Sequence, residues 1–230
     1  MRYKGFILDI DNTLYDYNSN HEKAFELLIL ETQKETNKNK DTVIEAYIQA
    51  RKEIHIELSE TASSHNRLLY IQRTLELLHI NSMNLSLKLY NTYWDTFLNH
   101  MKPFDNAIEF LNQYKDKSIC LLTDLTAHIQ HRKIEKLGLY KYADYIVTSE
   151  EAGKEKPHPY MFMLALKKMN LKSSEVCMIG DSYKKDIVGA SQLGIQSFWL
   201  NREEIKENTN SDLIVEFQNF KELEERMCNE

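Results

Sequence analysis

The chain's 230 residues exceed one typical domain of about 100 to 150 residues and fall short of two, which predicts one core domain carrying a smaller module. Only 6 glycines and 3 prolines, far below the usual roughly 7% and 5%, with 42% apolar and 28% charged residues, exclude collagen-like, low-complexity and extensively disordered chains. A net charge of −6, with 29 basic against 35 acidic side chains and no basic block, excludes a nucleic acid polymer as the main partner.

Met1 and Arg2 lead straight into residues 3–9 (YKGFILD), a short apolar run that stops on an acid. No apolar segment with a small-residue cleavage site follows, and no stretch approaches the roughly 20 apolar residues of a membrane span, so the expected location is the cytoplasm, without a membrane partner. Residues 20–101 then offer four helical periodicities and no strand-like run. These are marked by Ala24, Leu27, Leu28 and Glu31; Val43, Tyr47, Ala50 and Ile54; Leu68, Ile71, Leu75 and Leu78; and Leu87, Tyr90, Trp94 and Phe97. Apolar positions three and four apart give each helix one buried stripe, and four stripes bury one another in a bundle. Pro103 ends the fourth helix and Asp105 is placed to cap the next, over 106–114.

From there apolar runs and helical patterns alternate. Strands are predicted at 118–124 (SICLLTD), 145–148, 176–181 (VCMIGD) and 197–200, helices at 126–137, 159–169 and 186–193, and an edge strand and last helix at 212–217 and 221–227. Short continuous apolar runs fit strands buried on both faces, and their alternation with helices means βαβ units with right-handed crossovers. The predicted fold is α/β: a Rossmann-like, three-layer parallel-sheet core over 1–17 and 103–230, interrupted by an all-helical four-helix module at 18–102. Cys120, Cys177 and Cys228 are odd in number and lack metal-like spacing, so no disulfide framework is expected.

Ligands of open α/β sheets bind outside the carboxyl ends of the strands, and four such ends carry chemistry. Asp9 and Asp11, two apart, leave the first strand on the same side. Two anions so close either raise one pKa or need a cation beside them, unless the pair is simply an Asp-Asn turn. Thr123 and Asp124 offer a hydroxyl and backbone amides just before a helix start, an anion site or an ordinary cap. Lys156 lies in a loop stiffened by Pro157 and Pro159, where its ammonium either neutralises a phosphate or is solvated. Asp181 ends its strand and Asp186 lies five residues on, an oxygen pair of the kind hard cations such as Mg²⁺ take.

Together these four sites resemble the haloacid dehalogenase superfamily of aspartyl phosphohydrolases, over 6–200, with the helical module where members capped after the first motif carry theirs. The Asp-x-Asp-x-Thr motif is met by Asp9, Asp11 and Thr13, the second motif by Thr123, the third by Lys156 and the fourth by Asp181 and Asp186. The resemblance implies a phosphomonoester phosphatase with Asp9 as nucleophile and Asp11 as general acid and base. Mg²⁺ is expected on Asp9, the Asp11 carbonyl and Asp181, with Asp186 behind them or reaching the metal through water. Thr123, Lys156 and the amides near Asp11 and Asp124 would bind the phosphoryl oxygens. An acid at position 11 argues against dehalogenation, because a halide leaves without a proton. Asn12 stands where Gly is commoner and tolerates an unusual turn, whereas Asp124 replaces a common Asn, so its side chain must turn away from the phosphate or bind another group.

The implied substrate is a small phosphorylated metabolite, a nucleoside monophosphate or a sugar phosphate such as an acylneuraminate 9-phosphate, handled by a monomer or weak homodimer. A sugar phosphomutase and a non-catalytic binding protein of the same fold are the alternatives; the complete motif set argues against the latter. Arg67, in the polar stretch 63–67 with Tyr70 and Arg73 following, is the candidate substrate contact of the helical module, against an exposed turn with solvated arginines. Tyr15 and Tyr17 suit either a flap or hinge packing. The scattered histidines, and the charge runs at 34–40 and 203–207, read as surface or core positions.

Overall fold

The computed structural model describes residues 3–207 and 211–228. Apolar periodicity three and four apart switches to continuous apolar runs at the borders of two compact units, one of Tyr17–Met101 and one of Met1–Asp16 with Lys102–Glu230.

The helical unit holds α1 (Tyr17–Thr36), α2 (Lys40–Glu57), a short 3₁₀ turn at Ala62–His65, α3 (Arg67–Leu77) and α4 (Ser82–His100). Three of the helices start on asparagine. The side chains of Asn39, Asn66 and Asn81 accept from the backbone N–H of Thr42, Leu68 and Met83 at 2.8, 3.0 and 3.0 Å, each cap contributing roughly 1 kcal/mol. α1 buries Ala24, Leu28, Thr32 and Thr36, spaced by four, and the two threonine hydroxyls donate to the carbonyls of Leu28 and Thr32. On α4 the buried stripe follows Leu89, Tyr93 and Phe97 with Trp94 and Leu98 beside it. It leaves Leu87, expected inside, 60% exposed at its edge; Leu27 of α1 is likewise 41% exposed.

The core unit is a six-stranded parallel sheet in the order β3-β2-β1-β4-β5-β6, formed by β1 (Gly5–Leu8), β2 (Ser118–Thr123), β3 (Tyr145–Thr148), β4 (Val176–Gly180), β5 (Gln196–Leu200) and β6 (Ile214–Phe217). Successive residues of a strand face opposite sides, and both sides of this sheet are covered. Ile7, Cys120, Leu122, Val147 and Met178 pack with Phe162 and Ala165 of one helix, whereas Phe6 turns to Phe110 and Tyr114 of another, with ring centroids 5.8 and 5.2 Å away. The covering helices are α5 (Ala107–Gln113), α6 (Ala127–Leu137), α7 (Ser149–Ala152), α8 (Pro159–Met169), α9 (Gly189–Ser191) and α10 (Phe220–Cys228). Cys120 and Cys177 are buried thiols, that of Cys120 pushed up to about 12 by burial; the Cys228 side chain lies outside the described residues.

Two boundaries differ from expectation. α5 is entered through Asn106 in the left-handed region (φ 62°), and Asn106, not Asp105, holds the cap position without a side-chain bond. After β4 the chain turns helical at Tyr183, three residues before Asp186, because the Ser182 hydroxyl accepts from the Lys185 N–H and starts a wide π-type turn over Tyr183–Val188. Asp186 is thereby drawn inside the helical segment and fully buried.

Candidate active site

Leu8 pairs level with Leu121 of β2 and Ile179 of β4, so β1, β2 and β4 end together at the point where the strand order reverses. There the carboxyl ends of adjacent strands diverge and leave a crevice. Asp9 and Asp181 are the first residues past β1 and β4, and Thr123 ends β2.

Asp9 is buried and both its oxygens are engaged: Oδ1 accepts from Lys156 Nζ at 2.6 Å and Oδ2 from the Thr13 hydroxyl at 3.0 Å. Thr13 Oγ also lies 3.2 Å from Asp181 Oδ1 and accepts the Asp181 N–H at 3.1 Å, so one hydroxyl positions the ends of two strands. Lys156 Nζ further donates to Asp186 Oδ1 at 2.7 Å and to the Leu122 carbonyl at 3.2 Å. The other Asp186 oxygen accepts from the Ser182 N–H at 3.0 Å. Asp186 comes this close because residue 180 has no side chain: a Cβ there would sit 2.5 Å from Asp186 Oδ2 and 2.6 Å from its Cβ. A Gly180→Ala variant is therefore expected to fold less stably by about 1 to 3 kcal/mol and to lose most metal affinity, measurable by denaturant titration and calorimetry. Near-natural metal binding in a folded variant would show that Asp186 has room to move.

Oxygens of Asp9, Asp181 and Asp186 lie within 4.8 Å of one another. Three carboxyl groups share one ammonium, that of Lys156, so with all three ionised this space would hold a surplus of two negative charges. The strain is visible in their acidities. Burial, with Asp186 and the other carboxylates adding to it, pushes Asp9 well above the usual carboxylate range against the pull of Lys156. Burial and the Asp186 charge push Asp181 up to about 7, and burial also raises Asp186. The charge surplus and the all-oxygen donor set fit a hard divalent cation.

The Asp11 carboxylate is not among these oxygens. It faces α6, where Lys133 Nζ donates to both its oxygens at 2.7 and 2.8 Å, Gln130 Nε2 donates at 3.2 Å, and the Tyr15 hydroxyl donates to Oδ1. Burial pushes Asp11 up, but Lys133, Tyr15 and Gln130 outweigh it and hold the carboxyl below its ordinary value. Lys133, Gln130 and Tyr15 are all fully buried, and sequence reasoning missed the first two. A signal was present: Gln130, Lys133 and Ile134, and Leu137 fall at helical spacing on the one buried stripe of α6, where a lysine needs an acid to face. Tyr15 fills a packing position with its hydroxyl on Asp11. Trp199, whose Nε1 donates to the Asp181 carbonyl at 2.9 Å, gave no signal in the sequence.

Thr123 is buried at the end of β2, its hydroxyl donating to the Asp124 carbonyl at 3.2 Å. The Asp124 side chain binds other groups: Oδ1 accepts the Lys156 N–H at 3.0 Å and Oδ2 pairs with Lys185 Nζ at 2.8 Å. Its charge is thus matched by Lys185, and it fastens the loop that carries Lys156. Asn12 (φ 60°) and Leu125 (φ 83°) hold the left-handed backbone expected of a tight turn after the strand, which for Leu125 costs roughly 1 to 3 kcal/mol of strain. Arg67 and Tyr17 belong to the helical unit. Arg67 is neither exposed nor solvated: it is 8% exposed and donates to the Tyr17 hydroxyl. Arg73 is tied to Glu53 and Glu57.

Residues 3–194 match the family of haloacid dehalogenase-like hydrolases. Among curated proteins, the chain is 36% identical over 211 residues to the ribulose-1,5-bisphosphate 5-phosphatase of Halopiger xanaduensis, covering 89% of this chain and 87% of that one. It is 28% identical to the glyceraldehyde 3-phosphate phosphatase of Methanopyrus kandleri, covering 94% and 92%. Among solved structures, a phosphatase of the same superfamily from Thermococcus onnurineus superposes with a TM-score of 0.75 at 20% identity, over 97% of both chains.

Proposed function

From the premise that this chain belongs to the haloacid dehalogenase-like hydrolases and is a phosphatase of phosphorylated small molecules, we propose that it works through an aspartyl-phosphate on Asp9 with Mg²⁺ as cofactor. The observation that carries this reading is the buried cluster of Asp9, Asp181 and Asp186, three carboxyl groups that share the single ammonium of Lys156.

Asp9 would hold Mg²⁺ together with Asp181, Asp186 and the Asp11 carbonyl; when bound, Mg²⁺ offsets the repulsion between anionic nucleophile and anionic phosphate. An Asp9 oxygen attacks phosphorus and the new P–O bond forms as the bond to the leaving oxygen breaks; the attacking form is the ionised carboxylate, which Lys156 favours against burial. Lys156, the Thr123 hydroxyl and the amides after Asp9 and Thr123 bind the phosphoryl oxygens as charge spreads over them. Asp11, ionised on Lys133 in the resting protein, takes up a proton from solvent as it turns to the substrate, gives it to the leaving oxygen, then takes one from the water that attacks the phosphoryl group, returning Asp9 and inorganic phosphate. Thr13 and Asp124 act through others, the one aligning Asp9 and Asp181, the other holding the Lys156 loop. The two relatives' names favour a phosphorylated sugar or triose over a nucleotide.

The test is phosphate release from a panel of sugar phosphates, sugar bisphosphates and nucleoside monophosphates, with MgCl₂ or with EDTA. Release that depends on Mg²⁺ is expected; release undiminished in EDTA would overturn the metal assignment.

The raised carboxyls also fix a pH dependence. A carboxyl whose folded pKa exceeds its unfolded value binds more protons in the folded state between the two, so stability falls as pH rises through that window. For Asp181 the window runs from its ordinary 3.8 to about 7, and Asp9 and Asp186 act in the same direction. Asp11, held low, acts in the opposite sense only at the acid end, where its contribution is lost as pH falls. The metal-free protein is thus expected to melt several degrees lower at about pH 8 than at about pH 5.5, and Mg²⁺ to restore more at the higher pH. A melting temperature that rises with pH in EDTA would contradict the arrangement of charges.

A further inference from the structure

The helical unit contains a concentration of positive charge that the phosphatase chemistry does not use. Arg67, first residue of α3, is buried, and its guanidinium is surrounded by rings: its carbon lies 4.7 Å from the centroid of Tyr93, 5.3 Å from Trp94 and 5.8 Å from Tyr17. Its one hydrogen-bond acceptor is the Tyr17 hydroxyl, and its buried Nε has no partner. Among the described residues no carboxylate pairs with Arg67. A buried charge without a counter-charge is costly, and cation–π contacts offset that only in part.

The residues that touch this cage also wall a cleft of about 410 Å³ within the same unit. His21 stacks on Tyr17 with centroids 5.9 Å apart and sets Nδ1 2.7 Å from the Tyr93 hydroxyl; Tyr47 packs on Tyr70 at 6.1 Å. His21 and Tyr47 line the cleft together with Arg51, Lys52 and His55, and no carboxylate is among its lining residues. Among the described residues neither Arg51 nor Lys52 forms an ion pair. The local field is positive enough that burial, then Arg67, then Arg51, bring His21 down to about 4, so its imidazole is neutral at physiological pH. Elsewhere in this unit the half-buried Arg73 is matched by Glu53 and Glu57, and the exposed Lys88 by Glu31 and Glu35. A cleft of this volume, lined by aromatic rings and a few convergent polar groups, has the dimensions and character of a small-metabolite site.

We propose that this cleft is an anion-binding site of the helical unit, in which Arg51 and Lys52 take a phosphate or carboxylate group of a small metabolite and the buried Arg67 supplies the charge behind it. The metabolite is an effector separate from the substrate, so the proposal does not rest on the phosphatase reading. Arg51 and Lys52 are exposed on α2, so they reach an anion at the mouth of the cleft without being desolvated beforehand. Arg67 and the neutral His21 favour it from within.

The chain's two tryptophans separate the helical unit from the acidic cluster: Trp94 adjoins Arg67 and Trp199 adjoins Asp181. The full-length protein is labelled with 5-fluorotryptophan, its two ¹⁹F resonances are assigned with a Trp199→Phe variant, and inorganic phosphate is added at constant ionic strength without Mg²⁺. A saturable shift of the Trp94 resonance is expected, with affinity falling at least about tenfold in the Arg51→Gln/Lys52→Gln double variant, the loss of one or two charge-assisted bonds. Both substitutions are on the helix surface, and circular dichroism checks that the fold is kept. No saturable shift of Trp94, or an unchanged affinity in the double variant, overturns the proposal. In the double variant kcat/KM on the best substrate of the phosphatase panel should stay within about twofold of the natural chain's; a loss of about tenfold would mean that Arg51 and Lys52 serve the reaction and would overturn the effector assignment. If no ester is hydrolysed by the natural chain, the phosphatase reading fails, while the Trp94 titration still decides the anion site.

Discussion

Replacement of Asp9 by asparagine will lower phosphate release by at least about 10⁴-fold while leaving the fold intact. The amide keeps the shape of the carboxylate. Its oxygen still accepts from Lys156 Nζ, now 2.6 Å from Asp9 Oδ1, and its NH₂ group meets the Thr13 hydroxyl, now 3.0 Å from Oδ2, which can accept as well as donate. The reaction loses its anionic nucleophile, and no neutral amide attacks phosphorus at a useful rate. Stability should move the other way. Asp9 is a buried carboxyl pushed well above its ordinary range by burial and by Asp186, Asp181 and Asp11, so removing its charge relieves repulsion and the metal-free variant should melt no lower than the natural chain. Two measurements check this: colorimetric phosphate release, and acid-quenched labelling from a ³²P-phosphorylated sugar, which should mark the natural chain and not Asp9→Asn. Residual activity above about 1% of the natural chain, or label retained by the variant, would place the nucleophile elsewhere.

How far the site could be read from the sequence depended on whether a residue's chemistry is fixed by its place on a strand. Asp9, Thr123 and Asp181 each end or follow an apolar run, and in a parallel sheet the ends of neighbouring strands meet, so their convergence follows from the order β3-β2-β1-β4. Lys156 and Asp186 were marked by loop chemistry, but their contact was not. It requires Gly180 to leave room and a wide turn at Tyr183 to carry Asp186 inward, and both are consequences of packing in three dimensions. Asp124 illustrates the same limit. An acid beside a phosphate site is unfavourable by itself, and the partner that makes it favourable, Lys185, lies 61 residues away in sequence in the helical turn after β4. Stripes of the helical unit were visible in outline. Their edges were not, because whether Leu27 and Leu87 are covered depends on neighbouring helices that periodicity does not describe.

Lys133→Met will separate two classes of phosphate ester by whether the leaving oxygen needs a proton. Lys133 is wholly buried and gives two short bonds to Asp11, at 2.7 and 2.8 Å, so in the resting protein it fixes the rotamer of that carboxylate as well as its charge. Without the ammonium, Tyr15 and Gln130 remain as donors but the buried charge loses its counter-ion, which should destabilise the fold by about 2 to 4 kcal/mol. The kinetic consequence falls on proton transfer. kcat/KM reports steps through formation of the aspartyl-phosphate, and an alkyl ester needs its leaving oxygen protonated in that step whereas p-nitrophenyl phosphate does not. A misplaced Asp11 should therefore lower kcat/KM for a sugar phosphate by about 10² and for p-nitrophenyl phosphate by no more than a few fold. Lys133→Arg, which keeps the charge and two donors, should recover part of the loss on the sugar phosphate. Equal losses on both esters in a folded Lys133→Met protein would mean that the lysine supports only the packing of α6. Unequal losses would mean that a helix residue outside the sequence motifs sets the position from which Asp11 moves its proton.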